Sequence, residues 1–141
     1  MILRLTRRYR FAAAHRLHAA AFSQEANQQL YGKCNNPHGH GHDYVLEVSV
    51  AGPLDEATGR VANPAVLDRL VAQEVLACLD HRNLNAEVAE FSDAPPTTEN
   101  LLRLIRQRLL ARWPETLART RLAGIRLYET RRNIFELAER S

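Results

Sequence analysis

Residues 33–44, with the sequence KCNNPHGHGHDY, lead into a predicted strand and contain three of the six histidines in the chain. Apolar residues follow at alternate positions, namely Tyr44, Leu46, Val48 and Val50. Because residues two apart in a strand point to the same face, His38, His40 and His42 would share that face if the strand begins early enough. Converging imidazoles suit a zinc site, and the glycines between them allow backbone or a ligand to approach closely.

The overall composition is that of an ordinary globular protein of 141 residues. We expect one domain, 1–141, with a core of useful size. The net charge of +3 is mild and comes from scattered arginines, which argues against nucleic-acid binding. The sequence shows neither a membrane-spanning apolar run nor the apolar segment of a signal peptide, so we expect a cytoplasmic protein without membrane contacts. Two cysteines, Cys34 and Cys78, do not indicate a disulfide framework.

A second strand pattern near the N-terminus adds another histidine. Odd positions from Leu3 to Phe11 are apolar except for Arg7, and the same parity continues to His15. We therefore expect His15 on the buried face of this strand. Taken alone it would be a structural histidine, but a partner strand that carries more histidines strengthens the case for a ligand.

Two helices and two further strands complete the pattern. Asn63-Pro64 starts a helix with an apolar face that runs to Leu79, and Thr97 or Thr98 caps a second helix that Pro114 ends. The last two strands are predicted around Ala123, Ile125 and Leu127 and at Ile134–Ala138. The order strand, strand, helix, helix, strand, strand indicates an α+β fold: an antiparallel sheet with helices on one face. Its open edges would favour oligomerisation.

Polar residues at the ends of these elements allow two interpretations each. Glu129 continues the apolar parity of the third strand, so it is either solvated at the rim or a buried ligand anchor, and the pattern alone favours the rim. Asp80-His81 at the end of the first helix is either polar surface or a base with its charge partner. Cys34 would be a fourth zinc ligand, a base or a nucleophile, and a neighbouring cation would lower its pKa. Spacing alone does not separate a hydrolase from a lyase.

Five motifs occur in a recognisable order: FAAAHRL at 11–17, Cys34 ahead of HGHDY at 40–44, LDHRNLN at 79–85, TTEN at 97–100 and YET at 128–130. From Phe11 to about Leu137 the chain resembles the 6-pyruvoyl tetrahydropterin synthase family, which includes the 6-carboxytetrahydropterin synthases of deazaguanine (queuosine) biosynthesis. The resemblance implies the tunnelling fold, in which sheets from several subunits close a barrel, typically a homohexamer of two trimers. It also implies Zn²⁺ held by His15, His40 and His42.

The resemblance further implies the catalytic residues. Cys34 would accept a proton, with Asp80 and His81 completing a relay, and His81 would come from a neighbouring subunit. Glu129 would act in catalysis by anchoring the pterin ring through its N–H groups. Thr98 and Glu99 would bind the substrate together with Glu129.

The implied reaction converts 7,8-dihydroneopterin triphosphate to 6-pyruvoyl tetrahydropterin with loss of triphosphate, which is the work of a carbon–oxygen lyase. The alternative within the family forms 6-carboxytetrahydropterin from the same substrate. Outside it, a zinc hydrolase and a non-catalytic pterin- or nucleotide-binding module remain alternatives.

Two alignments of the histidine stretch are compatible with the family. A shorter spacing uses Cys34 with His38 and His40, as in the carboxy branch, and a longer one uses Cys34 with His40 and His42, as in the pyruvoyl branch. The family pattern has one residue and then an aromatic after its second histidine, and only His42 is followed in this way, by Asp43-Tyr44. We therefore expect that His38 is not a metal ligand, and that it either hydrogen-bonds a ligand or the substrate or has no role in the site.

Overall fold

A five-stranded sheet forms the centre of the computed structural model, which describes residues 1–139, so the end of the predicted domain at 140–141 lies outside the described residues. The strands are β1 Ile2–His15, β2 His40–Pro53, β3 Arg82–Asn83, β4 Arg121–Tyr128 and β5 Ile134–Ala138. Their order in the sheet is β3-β1-β2-β4-β5. The four long strands are antiparallel, and β3 adds two residues parallel to β1. The predicted α+β fold is confirmed, with a mixed rather than purely antiparallel sheet.

Within residues 1–139, five α-helices connect the strands: α1 Gln24–Tyr31, α2 Pro64–Val71, α3 Ala77–Leu79, α4 Leu84–Glu87 and α5 Thr98–Ala111. A π turn, Ala72–Leu76, joins α2 directly to α3, so the predicted first long helix contains one wider turn. Both predicted caps are present, because Asn63 accepts the amide N–H of Ala65 and Thr97 accepts that of Asn100. None of the helices in the described part of the chain is long and apolar enough to span a membrane.

The core lies between one face of the sheet and α2, α3 and α5. Alternate residues of β2 are buried, as the apolar pattern predicts, and pack against the apolar faces of these helices; the most buried members are Leu46, Val48, Val50, Leu67, Val71, Val75, Leu101 and Ile105. Each such side chain contributes roughly 1.5–3 kcal/mol by leaving water. The opposite sheet face carries cross-strand ion pairs such as Arg8 with Glu47 at 2.7 Å. The sheet of a single chain is open within residues 1–139.

The strand register brings the polar residues to one end of the sheet. In the β1–β2 pairing, His15 lies opposite His40, and Ala13 lies opposite His42. Glu129 directly follows β4, which pairs with β2, and so reaches the same end. Residues that can bind a metal ion or carry a proton, from β1, from β2 and from the position after β4, therefore meet at this end of the sheet.

Candidate active site

Four side chains converge at this end of the sheet: His15, Cys34, His42 and Glu129, whose ligand atoms all lie within 4.8 Å of one another. His42 is the centre of the group. Its Nε2 lies 3.2 Å from Nε2 of His15, 3.3 Å from Oε1 of Glu129 and 3.8 Å from Sγ of Cys34. Two imidazoles, a thiol and a carboxylate in this arrangement form a candidate metal-binding group.

The orientation of the buried His15 is fixed by backbone atoms. Its Nδ1 lies 3.0 Å from the carbonyl oxygen of Pro96. Because a carbonyl oxygen only accepts, Nδ1 carries the proton and Nε2 presents its lone pair to the cluster. Gly39, at φ +81°, packs directly on this residue, since a Cβ atom there would lie 3.1 Å from the carbonyl oxygen of His15. Glycine at this position therefore lets the loop close over the histidine.

Burial keeps both cluster histidines neutral. It lowers the pKa of His15, and the proximity of His42 lowers that pKa further. Burial also lowers the pKa of His42, although the Glu129 carboxylate partly opposes the effect. Neutral imidazole is the form that binds a metal ion, so these two side chains are ready to do so near neutral pH.

The thiol of Cys34 lies within 4.8 Å of the ligand atoms of His15, His42 and Glu129. Cys34 lies in a short 3₁₀ turn, Gly32–Asn35, that follows α1, and it is partly buried. Burial raises the pKa of the thiol, and the nearby Glu129 carboxylate raises it further. In the chain alone the thiol is therefore protonated. The lowered pKa expected beside a divalent cation stays a prediction.

Glu129 is enclosed rather than solvated, so the rim interpretation favoured by the sequence pattern is wrong. The buried Thr98 donates a hydrogen bond from Oγ1 to Oε2 of Glu129 at 2.9 Å. Glu99 is exposed in the first turn of α5, where its negative charge interacts favourably with the helix dipole, and it takes no part in this contact. The structure thus brings Thr98 and Glu129 together and leaves Glu99 at the surface.

The remaining two histidines of the stretch occupy different positions. His40, the first residue of β2, is exposed, and its ring centroid lies 4.7 Å from that of His42. It stands beside the four-residue cluster without belonging to it. Its role as a third metal ligand stays a prediction. His38 is exposed and precedes the strand, so it does not share the strand face.

Asp80 and His81 lie outside the cluster, on the edge of β1. Oδ1 of Asp80 accepts the amide N–H of Ala12 at 2.9 Å and lies 3.1 Å from Nδ1 of His81. His81 has a left-handed backbone, φ +60°, and its own N–H donates to the carbonyl oxygen of Ala12 at 2.6 Å. Its side chain is 83% exposed and, with His42, lines an open cavity of about 610 Å³.

Two further residues belong to the site, although the sequence reasoning did not assign them. Pro96 contributes only its carbonyl oxygen, for which the sequence carries no side-chain signal. Tyr44 is buried beside His42, with ring centroids 5.7 Å apart. Burial raises the pKa of Tyr44, and the charge of Glu129 raises it further. The shared strand parity of His42 and Tyr44 was the signal that would have identified the tyrosine.

Comparisons with known proteins identify the family of the chain. The family model described as 6-pyruvoyl tetrahydropterin synthase matches residues 4–140. The 6-pyruvoyl tetrahydrobiopterin synthases of Homo sapiens and Poecilia reticulata are each 42% identical to the chain over 130 residues. These alignments cover 92% of the chain and 87% and 86% of the two relatives, respectively.

Solved structures show the same relationship. The 6-pyruvoyl tetrahydropterin synthase of Caenorhabditis elegans superposes with a TM-score of 0.89 at 34% identity, covering 99% of this chain and 97% of that one. The Plasmodium vivax protein of the same name, at 16% identity, has a TM-score of 0.68 over 99% of this chain and 98% of its own, and shares the fold. The sequence matches, the fold and the site together show that the chain belongs to the 6-pyruvoyl tetrahydropterin synthase family of lyases.

Proposed function

We propose that the protein is a zinc-dependent lyase that converts 7,8-dihydroneopterin triphosphate to 6-pyruvoyl tetrahydropterin with loss of triphosphate. The observation that carries the proposal is the convergence of His15, Cys34, His42 and Glu129 in a chain of this family. The animal relatives at 42% identity, whose names specify the pyruvoyl product, support that branch over the 6-carboxytetrahydropterin alternative.

The residues present fit a zinc ion. His15 and His42 are neutral imidazoles with nitrogen atoms facing one centre, and zinc favours nitrogen and sulfur ligands. We assign His40 as the third ligand, since it lies on the same strand face beside His42. Bound zinc would supply Lewis acidity toward the side-chain hydroxyls of the substrate.

The chain's own residues carry out binding and proton transfer. Glu129 accepts the N–H groups of the pterin ring, with Thr98 beside it to hold the carboxylate. Cys34 removes a carbon-bound proton at Sγ as triphosphate leaves. Because burial keeps this thiol protonated in the chain alone, a cationic neighbour has to lower its pKa before it acts as a base.

Asp80 and His81 form the proton relay, and we assign them to the site of a neighbouring subunit. Three features support this assignment: His81 is exposed, it has an unusual backbone conformation, and it is tied to β1 through Ala12. Such conformations persist where the surrounding structure enforces them, often at functional sites. We accordingly propose a homohexamer, a dimer of trimers, whose closed barrel would also cover the free edges of β1 and β5.

The product assay is the main test. The purified protein is incubated with 7,8-dihydroneopterin triphosphate, and the pterin product is identified by mass. We expect 6-pyruvoyl tetrahydropterin and free triphosphate. Unchanged substrate would overturn the proposal, and 6-carboxytetrahydropterin would move the protein to the other branch of the family.

Two variants test the roles within the site. Cys34→Ala should retain zinc and lose turnover by about 100- to 10,000-fold, as expected for a lost base. Loss of zinc instead would indicate that Cys34 is the fourth ligand of a hydrolase-type site. Mixing the inactive Cys34→Ala and His81→Ala proteins under subunit exchange should restore part of the activity if neighbouring chains share each site; no recovery would place the relay within one chain.

A further inference from the structure

The phenol of Tyr44 is an unusual polar group in this fold. The residue is 1% exposed, and its hydroxyl has no hydrogen-bond partner among residues 1–139. The hydroxyls of Tyr9 and Tyr128, in contrast, donate to carboxylates at 2.7 and 3.1 Å. A buried hydroxyl without a partner destabilises a protein, and native structures rarely retain one without a reason. The reason is found in what surrounds this phenol.

Strand pairing places Tyr44 beside the proposed pterin anchor. β2 and β4 pair Val45 with Tyr128, and continuing this register by one residue brings Tyr44 opposite Glu129, which directly follows β4. Side chains at opposite positions of antiparallel strands have Cβ atoms about 5 Å apart. The ring of Tyr44 is held by stacking on Phe11, with centroids 4.9 Å apart. The phenol is thus a rigid group next to Glu129.

Thr98 connects these two residues. Its hydroxyl is close enough to the phenol to lower the pKa of Tyr44, although the two groups form no hydrogen bond in this structure. Thr98 donates its only hydroxyl proton to Oε2 of Glu129, so its oxygen is free to accept a hydrogen bond. Oε1 of Glu129 faces His42 at 3.3 Å, a contact that the N–H groups of a bound pterin would displace. The carboxylate and Thr98 would then shift together.

We propose that Tyr44 is a positioning residue of the pterin site, an inference that rests on the proposed function. When a pterin occupies Glu129, the Tyr44 hydroxyl donates to Thr98, and Thr98 donates to Glu129. Donors aligned in one direction along such a chain strengthen one another. The phenol thereby fixes Thr98 as a donor and holds the carboxylate in the orientation that receives the ring.

Ligand affinity and stability together test this role. The probe is neopterin, which contains the pterin ring without the triphosphate, and its dissociation constant is measured by fluorescence titration of the full-length, zinc-loaded protein. Tyr44→Phe should bind neopterin about 3- to 10-fold more weakly, as expected for one lost hydrogen bond. The melting temperature of its ligand-free form should stay unchanged or rise by up to about 4 °C, because an unpaired hydroxyl is removed.

Tyr9→Phe is the matched control, since it removes a hydroxyl that is paired with Asp68 and lies outside the site. It should lower the melting temperature and leave the neopterin affinity unchanged. A Tyr44→Phe protein that behaves in this way would overturn the inference and give Tyr44 a structural role only.

A double-mutant cycle tests the path through Thr98. Thr98→Val should weaken neopterin binding, and adding Tyr44→Phe should weaken it no further, because the intermediate group is already gone. Independent losses that multiply would overturn the proposed chain.

The wild-type protein and Glu129→Ala separate this inference from the proposed function. Wild-type protein that does not bind neopterin, or a Glu129→Ala variant that binds it equally well, would overturn the proposed pterin site and the inference with it. Binding that requires Glu129 but is unaffected by Tyr44→Phe would overturn the inference alone.

Discussion

Two imidazole–carboxylate pairs of similar geometry occur in this fold in opposite environments. His42 and Glu129 lie 3.3 Å apart with side chains 8% and 12% exposed, whereas His81 and Asp80 lie 3.1 Å apart with side chains 83% and 35% exposed. The first pair is inside the ligand cluster, where burial lowers the pKa of the histidine. The second is presented to solvent on a sheet edge. Separation is therefore a poor guide to environment, because at similar distances one pair is shielded from water and the other is open to it.

The largest effect should come from breaking the buried pair. His42→Ala removes the nitrogen at the centre of the cluster, so we expect loss of bound zinc and a fall in turnover of at least about 100-fold. Metal per chain is measured by elemental analysis and turnover by product formation. His38→Ala is the control: His38 is exposed and precedes the strand, so this variant should keep both its zinc and its turnover. Zinc lost from His38→Ala but retained in His42→Ala would reverse the chosen alignment.

Breaking the exposed pair should affect turnover but not metal binding. His81→Ala should keep its zinc and lose turnover by about 100-fold, the lower end for a proton-transfer residue. Its free energy of unfolding should change by no more than about 1 kcal/mol, because the pair is open to water. Chemical denaturation and elemental analysis check these two points. Loss of metal from this variant would mean that the two pairs are not separate in function.

Acid should act on the buried cluster through its two histidines, His42 of the buried pair and His15 beside it. The folded pKa values of His15 and His42 are lowered, so the unfolded chain takes up protons more readily. Stability contributed by these groups is present above the unfolded value of about 6.5 and is lost as the pH falls below it. We expect the free energy of unfolding of chelator-treated protein to fall from about pH 7 to pH 5, and to fall less steeply with pH in His15→Gln. If chemical denaturation gives the same pH dependence of the free energy of unfolding for both proteins, the contribution of His15 is contradicted.

The smallest effect should come from an ion pair next to the exposed histidine. Arg82 and Glu87 lie 3.6 Å apart with half-exposed side chains. Arg82→Ala should change the free energy of unfolding by no more than about 0.5 kcal/mol. Thermal denaturation in low and high salt checks this, since screening should remove the difference. A larger, salt-independent loss would show that this edge is more rigid than its exposure suggests.

Much of the fold was accessible from local patterns, because alternation and capping act over a few residues. Ile134–Ala138 and the caps at Asn63 and Thr97 are found where they were expected. α1 was not predicted, since this helix buries a polar residue, Asn27, which satisfies carbonyl groups of the preceding loop. Its amphipathic pattern is correspondingly weak.

The site was predicted less completely, because its assembly depends on strand register. The parity of His15 correctly indicated a buried side chain. Enclosure of Glu129 requires Thr98 from a distant helix, and local sequence does not contain that contact. Likewise, the raised pKa of Cys34 in the chain alone depends on burial and on Glu129, which local sequence does not place beside the thiol.

The π turn at Ala72–Leu76 gives the chain an unusual tolerance to a change of its length. Such a turn holds one residue more than the regular helix on either side of it. Deleting Gln73, which is exposed, would restore ordinary helical hydrogen bonding and leave the residues after it facing as they do now. Leu79 would stay in the core, and Asp80 would keep its contact with Ala12. An in-frame loss of one codon at this turn should thus preserve the fold, whereas the same loss within α2 would rotate everything after it by about 100°.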